Sequence, residues 1–270
     1  MHEFFDLTEH SDVQIPMYGR THLITVLVML LLLLAILWRK QDVKHLLSRT
    51  RVVNTFLIAY LVLEAFYWSL VWGYRLEPLY ERFPLHLCGS LSIVMAALVL
   101  ARNHRAIRFF SYWSVCAGFI SFANPGFVFY TPGGWGFIHY LIRHYFLFLT
   151  PVMVQIAWGY RHTYRRFFIS MCTLIGYAFL IFLIDWATGA NYMHLGRHNP
   201  LEVPFLPAAW TVWPWTYPSF VGVGILLFHL AFLGFRSGSM QLAQTSTNRL
   251  RSGRQRPDGT PPPAAERERI

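Results

Sequence analysis

Apolar residues occur along this chain in long runs that short polar segments separate. The run HLITVLVMLLLLLAILW at 22–38 contains no Asp, Glu, Lys or Arg. A helix needs about 20 apolar residues to cross a bilayer, with a range of roughly 17–25. The pattern predicts an all-α polytopic membrane protein with seven transmembrane helices, at about 21–38, 54–73, 84–101, 107–124, 137–158, 167–186 and 217–235.

Composition supports this class. Hydrophobic residues make up 55% of the 270 positions and charged residues 13%, with a mean hydropathy of +0.37. A soluble domain carries about 25% charged residues, so the surplus apolar surface is expected to face lipid. The 10 Trp and 14 Tyr suit side chains that rest at the two membrane interfaces.

The basic residues alternate between the two sides of the predicted membrane. The segments after the first, third and fifth runs, together with the tail, hold 18 of the 23 Lys and Arg residues. The positive-inside rule then predicts the N-terminus outside and the C-terminus in the cytoplasm. The net charge of +10 is therefore read as a topology signal, with anionic lipid headgroups as secondary contacts and no role for nucleic acid.

Three regions follow from the same pattern. Residues 1–20 form a short outer segment, which is acidic and lacks the basic start of a signal peptide. Residues 21–236 form the membrane domain, whose outer loop at 187–216 is rich in Pro and Trp and is expected to be an ordered cap. Residues 237–270 are rich in Ser, Gly, Gln, Arg and Pro, which predicts a disordered basic cytoplasmic tail.

Ionisable groups inside membrane spans are expensive and mark functional sites. Under the predicted topology most of them lie in one layer near the outer face, whereas Glu64 lies near mid-membrane. Those expected in the outer layer are His86, His139, Arg143, His144 and Asp185, with Cys88 beside them.

Cys88 is the candidate nucleophile among three cysteines. Cys116 and Cys172 are read as apolar filler, and no spacing indicates a disulfide, a metal site or a cofactor. If the helix begins at Pro84, Cys88 lies just past the first turn, where the helix dipole stabilises a thiolate. A thiolate paired with a histidine is suited to acyl transfer. The alternative is that Cys88 also fills apolar space.

Helical spacing restricts which residues can act on Cys88. His86 is two residues away and points to the opposite side, so it shares a face with Ser90 instead. The segment HYLIRHY at 139–145 pairs His139 with Arg143 and Tyr140 with His144. A base for Cys88 is therefore expected to be His144 or His139.

Structural roles remain open for the other polar residues. Arg143 can form an ion pair with Glu64 or Asp185. His139 can extend its imidazole to the water interface. Asp185 can cap the outer loop.

Four motifs, taken together, resemble a known family. The segments PLHLC at 84–88, HY and RH at 139–144, NYM at 191–193 and WPW at 213–215 resemble the YwaF-like integral membrane proteins of bacteria, over nearly all of 15–235. The resemblance implies a relation to an animal transmembrane phospholipid acyltransferase and, more distantly, to membrane hydrolases of fatty-acid esters. It implies Cys88 as nucleophile and His144, or else His139, as base.

The expected function is a lipid acyltransferase, transacylase or lipid ester hydrolase of the cell (inner) membrane. Acyl-CoA is cytosolic, so a site at the outer face is expected to take its acyl group from another phospholipid. Membrane lipids are the expected partners. The expected substrate-binding residues are His86, Ser90, Tyr140, Arg143, Asp185, Asn191, Tyr192 and Trp215.

Two other functions compete with this one. In the first, Glu64, His86, Arg143 and Asp185 line a route through a transporter or an anion- or proton-binding protein, although no inverted repeat is visible. In the second, the chain is a structural or assembly factor.

Overall fold

A computed structural model describes residues 19–74, 79, 82–123, 134–196, 208–210 and 212–254, with only the backbone of 208 and of 237–254. Within these residues the regular elements are all helical, which confirms the predicted all-α class. The helices are α1 Arg20–Trp38, α2 Lys40–Ser48, α3 Thr50–Gly73, α4 Leu87–Leu100, α5 His104–Ala123, α6 Trp135–Trp158, α7 Tyr164–Thr188 and α8 Thr216–Arg254, with 3₁₀ turns at Tyr192–His194 and Ala208–Trp210.

Six of the described helices are long and apolar enough to cross a membrane: α1, α3, α5, α6, α7 and the Thr216–Arg236 part of α8. The seventh predicted span is a shorter apolar helix, α4, with 14 residues. At 1.5 Å per residue it is about 21 Å long, less than the roughly 30 Å hydrocarbon core. The chain is therefore a multi-pass membrane protein in which one apolar helix is short.

The start of α4 differs from the prediction. The helix was expected from Pro84, but His86 has extended backbone angles and is the N-cap of a helix that begins at Leu87. Side chains from elsewhere bond the backbone before it: Tyr177 Oη donates to the Leu85 carbonyl at 2.7 Å, and the Phe83 N–H donates to Tyr192 Oη at 3.2 Å. Irregular backbone at membrane depth needs such partners, and here they replace helical bonds.

Two other boundaries were not anticipated. The basic segment after α1 contains the short amphipathic helix α2, whose Val43 and Leu47 pack on Ile156 of α6. The backbone of α8 continues as helix to Arg254, into the segment expected to be disordered. Residues 1–18, 197–207, 211 and 255–270 of the predicted terminal regions and outer loop lie outside the described residues.

Helices α4, α6 and α8 begin at the end of the bundle where α3, α5 and α7 finish; we call this the site end, and the opposite end the basic end. Helix α5 is the most enclosed of the long spans, whereas α1 and α8 are largely exposed to the surroundings. Helices α5 and α6 approach closely at Gly118, where an added Cβ would lie 2.8 Å from Phe148 Cβ. The core thus centres on α4, α5 and α6.

Candidate functional site

Four side chains of α3 and α6 form a buried polar cluster, which we call the Glu64 cluster: Tyr60, Glu64, His139 and Arg143. Arg143 binds the carboxylate through two nitrogens, with Nη2 2.7 Å from Oε2 and Nε 3.1 Å from Oε1. Tyr60 donates its hydroxyl to Oε1 at 2.9 Å, and His139 Nε2 lies 3.3 Å from the same atom. Only 1% of the Glu64 side chain is exposed, so these four contacts replace its hydration.

The cluster corrects the expectation that Glu64 stands apart at a different depth. Glu64 lies nine residues before the end of α3, and Arg143 lies eight residues after the start of α6. Both distances correspond to about 12–14 Å along a helix axis from the site end. Of the two ion-pair partners expected for Arg143, Glu64 and Asp185, the one that binds it in the structure is Glu64.

Aromatic rings enclose the cluster. The Tyr67 ring stacks on the His139 ring at 3.9 Å and 11°. The Arg143 guanidinium lies 4.8 Å from the centre of the same Tyr67 ring and 5.9 Å from that of Trp68. Cation–π contact and the bidentate bond to Glu64 together fix the plane of the guanidinium.

The first turn of α4 passes close to this guanidinium. A Cβ added at Gly89 would lie 3.2 Å from Trp68 Cζ2 and 3.9 Å from Arg143 Nη1. Glycine therefore permits the approach. Glu64 binds Nε and Nη2, and the third guanidinium nitrogen, Nη1, is the one that faces this turn.

Cys88 is the second residue of α4 and is partly exposed. Its Sγ lies 3.5 Å from Ser121 Oγ. Ser121 donates its own proton to the Ala117 carbonyl at 2.8 Å, so its oxygen accepts from the thiol. Across the described residues, the structure has no hydrogen bond between Cys88 and either His139 or His144. The predicted nucleophile and base are thus in one region but not in direct contact.

His144 and Tyr140 continue this layer on α6. His144 Nδ1 lies 2.7 Å from the Tyr140 carbonyl, so Nδ1 carries the proton and Nε2 has the free lone pair. The Tyr140 ring lies 3.9 Å from the His144 ring, and its hydroxyl donates to the Ser121 carbonyl at 3.0 Å. Ser121 therefore connects Cys88 with Tyr140, because its hydroxyl contacts Cys88 and its carbonyl accepts from Tyr140.

The NYM motif at 191–193 packs over the start of α4. His86 Nδ1 accepts from the Met193 N–H at 3.2 Å, and Asp185 accepts from the Tyr192 N–H at 3.0 Å. Asn191 accepts from the Gly196 N–H at 3.0 Å, within the loop itself. These bonds hold residues 190–196 between α7 and the non-helical entry to α4. Asp185 has the loop-capping contact that was the alternative to a substrate role.

Two other predicted substrate-binding residues, Ser90 and Trp215, do not contact the Glu64 cluster through a described hydrogen bond. The Ser90 hydroxyl donates to the carbonyls of His86 and Leu87, both at 3.3 Å, and thus bonds to the backbone of His86 and not to its imidazole. Trp215 is 61% exposed and lies in the turn before α8, on the outer surface of the bundle.

Sequence reasoning did not select Tyr60, Tyr67, Trp68 or Ser121. Tyr60 had a detectable signal, because it precedes Glu64 by one helical turn and its hydroxyl can reach the carboxylate. Ser121 had none: it lies in an ordinary apolar run and matters only because α5 and α4 are neighbours. In the described part of the chain no group of three His, Cys, Asp or Glu side chains is placed to hold a metal ion.

The fold and this buried polar layer define a polytopic helical membrane protein. The chain belongs to the TMEM164 family, a membrane protein family whose match covers residues 17–232. The match includes the Glu64 cluster, Cys88 and the loop motif. Comparisons with curated proteins and with solved structures give no match.

Proposed function

We propose that this protein is a lipid acyltransferase or lipid ester hydrolase that uses Cys88 as its nucleophile. The observation that carries the proposal is the position of Cys88: partly exposed, in the first turn of α4, with Ser121 as hydrogen-bond partner and Arg143 beside the next residue. First-turn N–H groups have no acceptor within their own helix. Together with the helix dipole they stabilise a thiolate and a developing oxyanion.

The reaction has two half-steps. Cys88 Sγ attacks the carbonyl carbon of a phospholipid ester and forms a thioester, while the C–O bond to the glycerol breaks. The leaving lysophospholipid oxygen takes the proton that the base removed from the thiol. A second lysophospholipid hydroxyl, or water, then attacks the thioester. Its proton returns to Cys88 through the base, and the products are a new ester or a free fatty acid.

Of the two candidate bases, the contacts favour His144. His139 Nε2 is occupied by Glu64 at 3.3 Å, within a cluster whose charges are already balanced. His144 donates from Nδ1 to a carbonyl and keeps the Nε2 lone pair. In the proposal, a water molecule bridges Nε2 and the thiol, because catalytic contacts made through one water are compatible with proton transfer.

Arg143 is the favoured group for the oxyanion or the lipid phosphate. The hydroxyls of Ser90 and Tyr140 donate to backbone carbonyls, so they are occupied. Arg143 keeps Nη1 available toward α4 while Glu64 holds its other two nitrogens.

Trapping of the acyl-enzyme tests the proposal. The purified protein in detergent is incubated with a short-chain phosphatidylcholine and with an activated fatty-acid p-nitrophenyl ester, and the cysteine peptides are analysed by mass spectrometry. We expect a hydroxylamine-sensitive acyl group on the peptide that contains Cys88. It should be absent in Cys88→Ala and reduced at least about tenfold in His144→Gln, in line with the loss of a general base.

The chain supplies its own control. Cys172 is exposed on α7, away from the polar layer, so Cys172→Ala should acylate like the wild type. An acyl group that persists in Cys88→Ala, or that disappears in Cys172→Ala, contradicts the proposal. So does a wild-type protein that acquires no thioester from either substrate.

A further inference from the structure

The indole N–H of Trp68 is buried and has no acceptor among the described residues. In this part of the chain two indole nitrogens share that state, Trp68 Nε1 and Trp135 Nε1. A buried tryptophan usually has an acceptor, as Trp113 does, whose Nε1 donates to the Ser170 carbonyl at 3.0 Å. An unpaired buried donor lowers stability, so its presence in a native protein needs an explanation, and a catalytic role is one.

An anchoring role at the membrane interface does not explain the unpaired N–H. A tryptophan that rests at the interface turns its N–H to the water and headgroups. Part of the Trp68 ring is exposed, but Nε1 itself is buried. The N–H is therefore directed into the protein and not into the interface.

The indole edge that carries this N–H lies against the first turn of α4. Cζ2 of Trp68 is 3.2 Å from the position of an added Gly89 Cβ, and Nε1 is two bonds from Cζ2 on the same edge of the ring. Arg143 Nη1 is 3.9 Å from the same position. Because Gly89 directly follows Cys88, an indole N–H and a guanidinium N–H both lie beside the residue after the candidate nucleophile.

Contacts with neighbouring side chains hold both donors in place. Glu64 binds the Arg143 guanidinium through Nε and Nη2, at 3.1 and 2.7 Å, which leaves Nη1 directed toward α4. The Tyr67 ring lies 4.8 Å from the same guanidinium and 5.6 Å from the Trp68 ring. Donors fixed before a reaction stabilise developing charge without the cost of reorganisation.

The backbone of α4 adds a third donor at the same point. His86 is the N-cap and makes no side-chain capping bond, and the first N–H with an acceptor within the helix is that of Ser90, which bonds the His86 carbonyl at 3.1 Å. The Gly89 N–H comes one residue earlier and has no acceptor in its own helix. In hydrolases with a nucleophile at the start of a helix, the N–H of the following residue belongs to the oxyanion hole. Gly89 has that position here.

We propose that Trp68 Nε1 is an oxyanion-hole donor, paired with Arg143 Nη1, for the ester carbonyl that Cys88 attacks. This assignment rests on the proposed function. As Sγ bonds to the carbonyl carbon, the π pair of the C=O bond moves onto its oxygen, and the two N–H groups donate to that oxygen. The pair re-forms the C=O bond of the thioester when the C–O bond to the glycerol breaks. The thiol proton passes through the base to the leaving oxygen, as above.

Single-turnover acylation of the full-length protein in detergent tests the role of Trp68. The probe is p-nitrophenyl octanoate, and the release of p-nitrophenolate gives the acylation rate at each ester concentration. Trp68→Phe removes the N–H and keeps an aromatic ring. We expect its saturating rate to fall about a hundredfold, the lower end for the loss of one oxyanion-hole donor, because Arg143 remains. The half-saturating ester concentration should stay within about twofold, since the lost contact forms only in the transition state.

Alkylation separates this role from a purely structural one. Iodoacetamide reacts with a thiol by displacing iodide from a saturated carbon, so no oxyanion forms. The peptide that contains Cys88, quantified by mass spectrometry, should be alkylated at the wild-type rate in Trp68→Phe. Trp135→Phe is the matched control: it removes the other unpaired indole N–H, whose ring packs on Phe66 and His139, and should acylate like the wild type.

Gly89→Ala provides a second variant that keeps both side-chain donors. Its Cβ would lie 3.2 Å from Trp68 Cζ2, so the indole edge has to move, and alanine is favourable in a helix. We expect slower acylation with unchanged alkylation. The same substitution should have no further effect in a Trp68→Phe background, because the two changes act on one contact.

The outcomes distinguish this assignment from the proposed function. A Trp68→Phe protein that acylates as fast as the wild type, or that loses acylation and alkylation equally, overturns the role of Trp68 and leaves the proposed function intact. An equal loss of acylation in Trp135→Phe does the same. A wild-type protein that acquires no acyl group from the ester refutes both.

Discussion

Replacing Glu64 with Gln removes the charge that balances Arg143 and keeps the size of the side chain. One of the two oxygens becomes an amide NH₂, and near Oε2 it would face Arg143 Nη2, which lies 2.7 Å from that oxygen. If the amide turns over, the same conflict arises at Oε1, to which Arg143 Nε donates at 3.1 Å. The variant therefore places donor against donor and leaves a buried guanidinium without its counter-ion.

Breaking a buried ion pair by removing one partner costs about 3–5 kcal/mol. The Glu64 side chain is 1% exposed and that of Arg143 is 12% exposed, so water can do little to compensate. We expect Glu64→Gln to lower the free energy of unfolding by about 3 kcal/mol, the lower end of that range, because one oxygen still accepts hydrogen bonds. Unfolding in mixed detergent and SDS micelles, followed by circular dichroism, measures this change.

A double-mutant cycle provides the decisive control. Arg143→Met removes the unpaired charge, so the Glu64→Gln/Arg143→Met protein should be more stable than Glu64→Gln alone, with a coupling energy of about 2 kcal/mol or more. Additive effects of the two substitutions would refute the reasoning. So would a Glu64→Gln protein within about 0.5 kcal/mol of the wild type, the scatter of ordinary surface substitutions.

Two further predictions concern packing and pH. Gly118→Ala places a Cβ 2.8 Å from Phe148 Cβ and should lower the free energy of unfolding by about 1–3 kcal/mol in the same assay, whereas Gly176→Ala meets nothing within 4 Å and should not. In the loop between α6 and α7, burial, with smaller effects of neighbouring arginines, lowers the pKa of His162 to about 4, and its Nδ1 accepts from the Tyr112 hydroxyl at 2.6 Å. The unfolded chain then binds more protons between about pH 6.5 and 4, so His162 should make stability fall as pH falls through that window. Unfolding of wild type and His162→Gln across pH checks this, and parallel stability curves for the two proteins would contradict it.

The neutral state of His162 is consistent with its other contact. Nε2 lies 2.9 Å from Gln155 Oε1, and Gln155 Nε2 in turn donates to the Tyr160 carbonyl at 3.0 Å. With Nε2 as donor to Gln155 and Nδ1 as acceptor from Tyr112, each of the two His162 hydrogen bonds contains one proton. Protonation of Nδ1 would place a second proton between Tyr112 and His162.

The membrane spans were predictable to within a few residues for the long helices. The run predicted at 54–73 is α3 Thr50–Gly73, and the run at 137–158 is α6 Trp135–Trp158. Hydropathy identifies spans because lipid exposure acts on each residue locally. The helix predicted from 84 begins at Leu87, and Tyr177, which is distant in sequence, bonds the Leu85 carbonyl in the backbone before it.

The candidate site was predicted as a list of residues but not as a set of contacts. The sequence indicated that Arg143 needs a partner, because a charge in a span is costly, and left Glu64 and Asp185 as alternatives. Depth along the helices did not distinguish the two, so Asp185 was as good a candidate partner for Arg143 as Glu64. In the structure, Asp185 accepts a hydrogen bond from the Tyr192 N–H. Arg143 pairs with Glu64, because α3 lies beside α6 at that level.

From its amino-acid order alone, this chain determines that it is an all-α, multi-pass membrane protein with costly polar groups inside its spans. These properties follow from local hydrophobicity and from the charges that flank each run. Tertiary structure decided that Glu64 neutralises Arg143, that Ser121 and not a histidine contacts Cys88, and that the NYM segment covers the start of α4. Such contacts depend on how each helix is rotated and which helix is its neighbour, and apolar runs facing lipid specify neither.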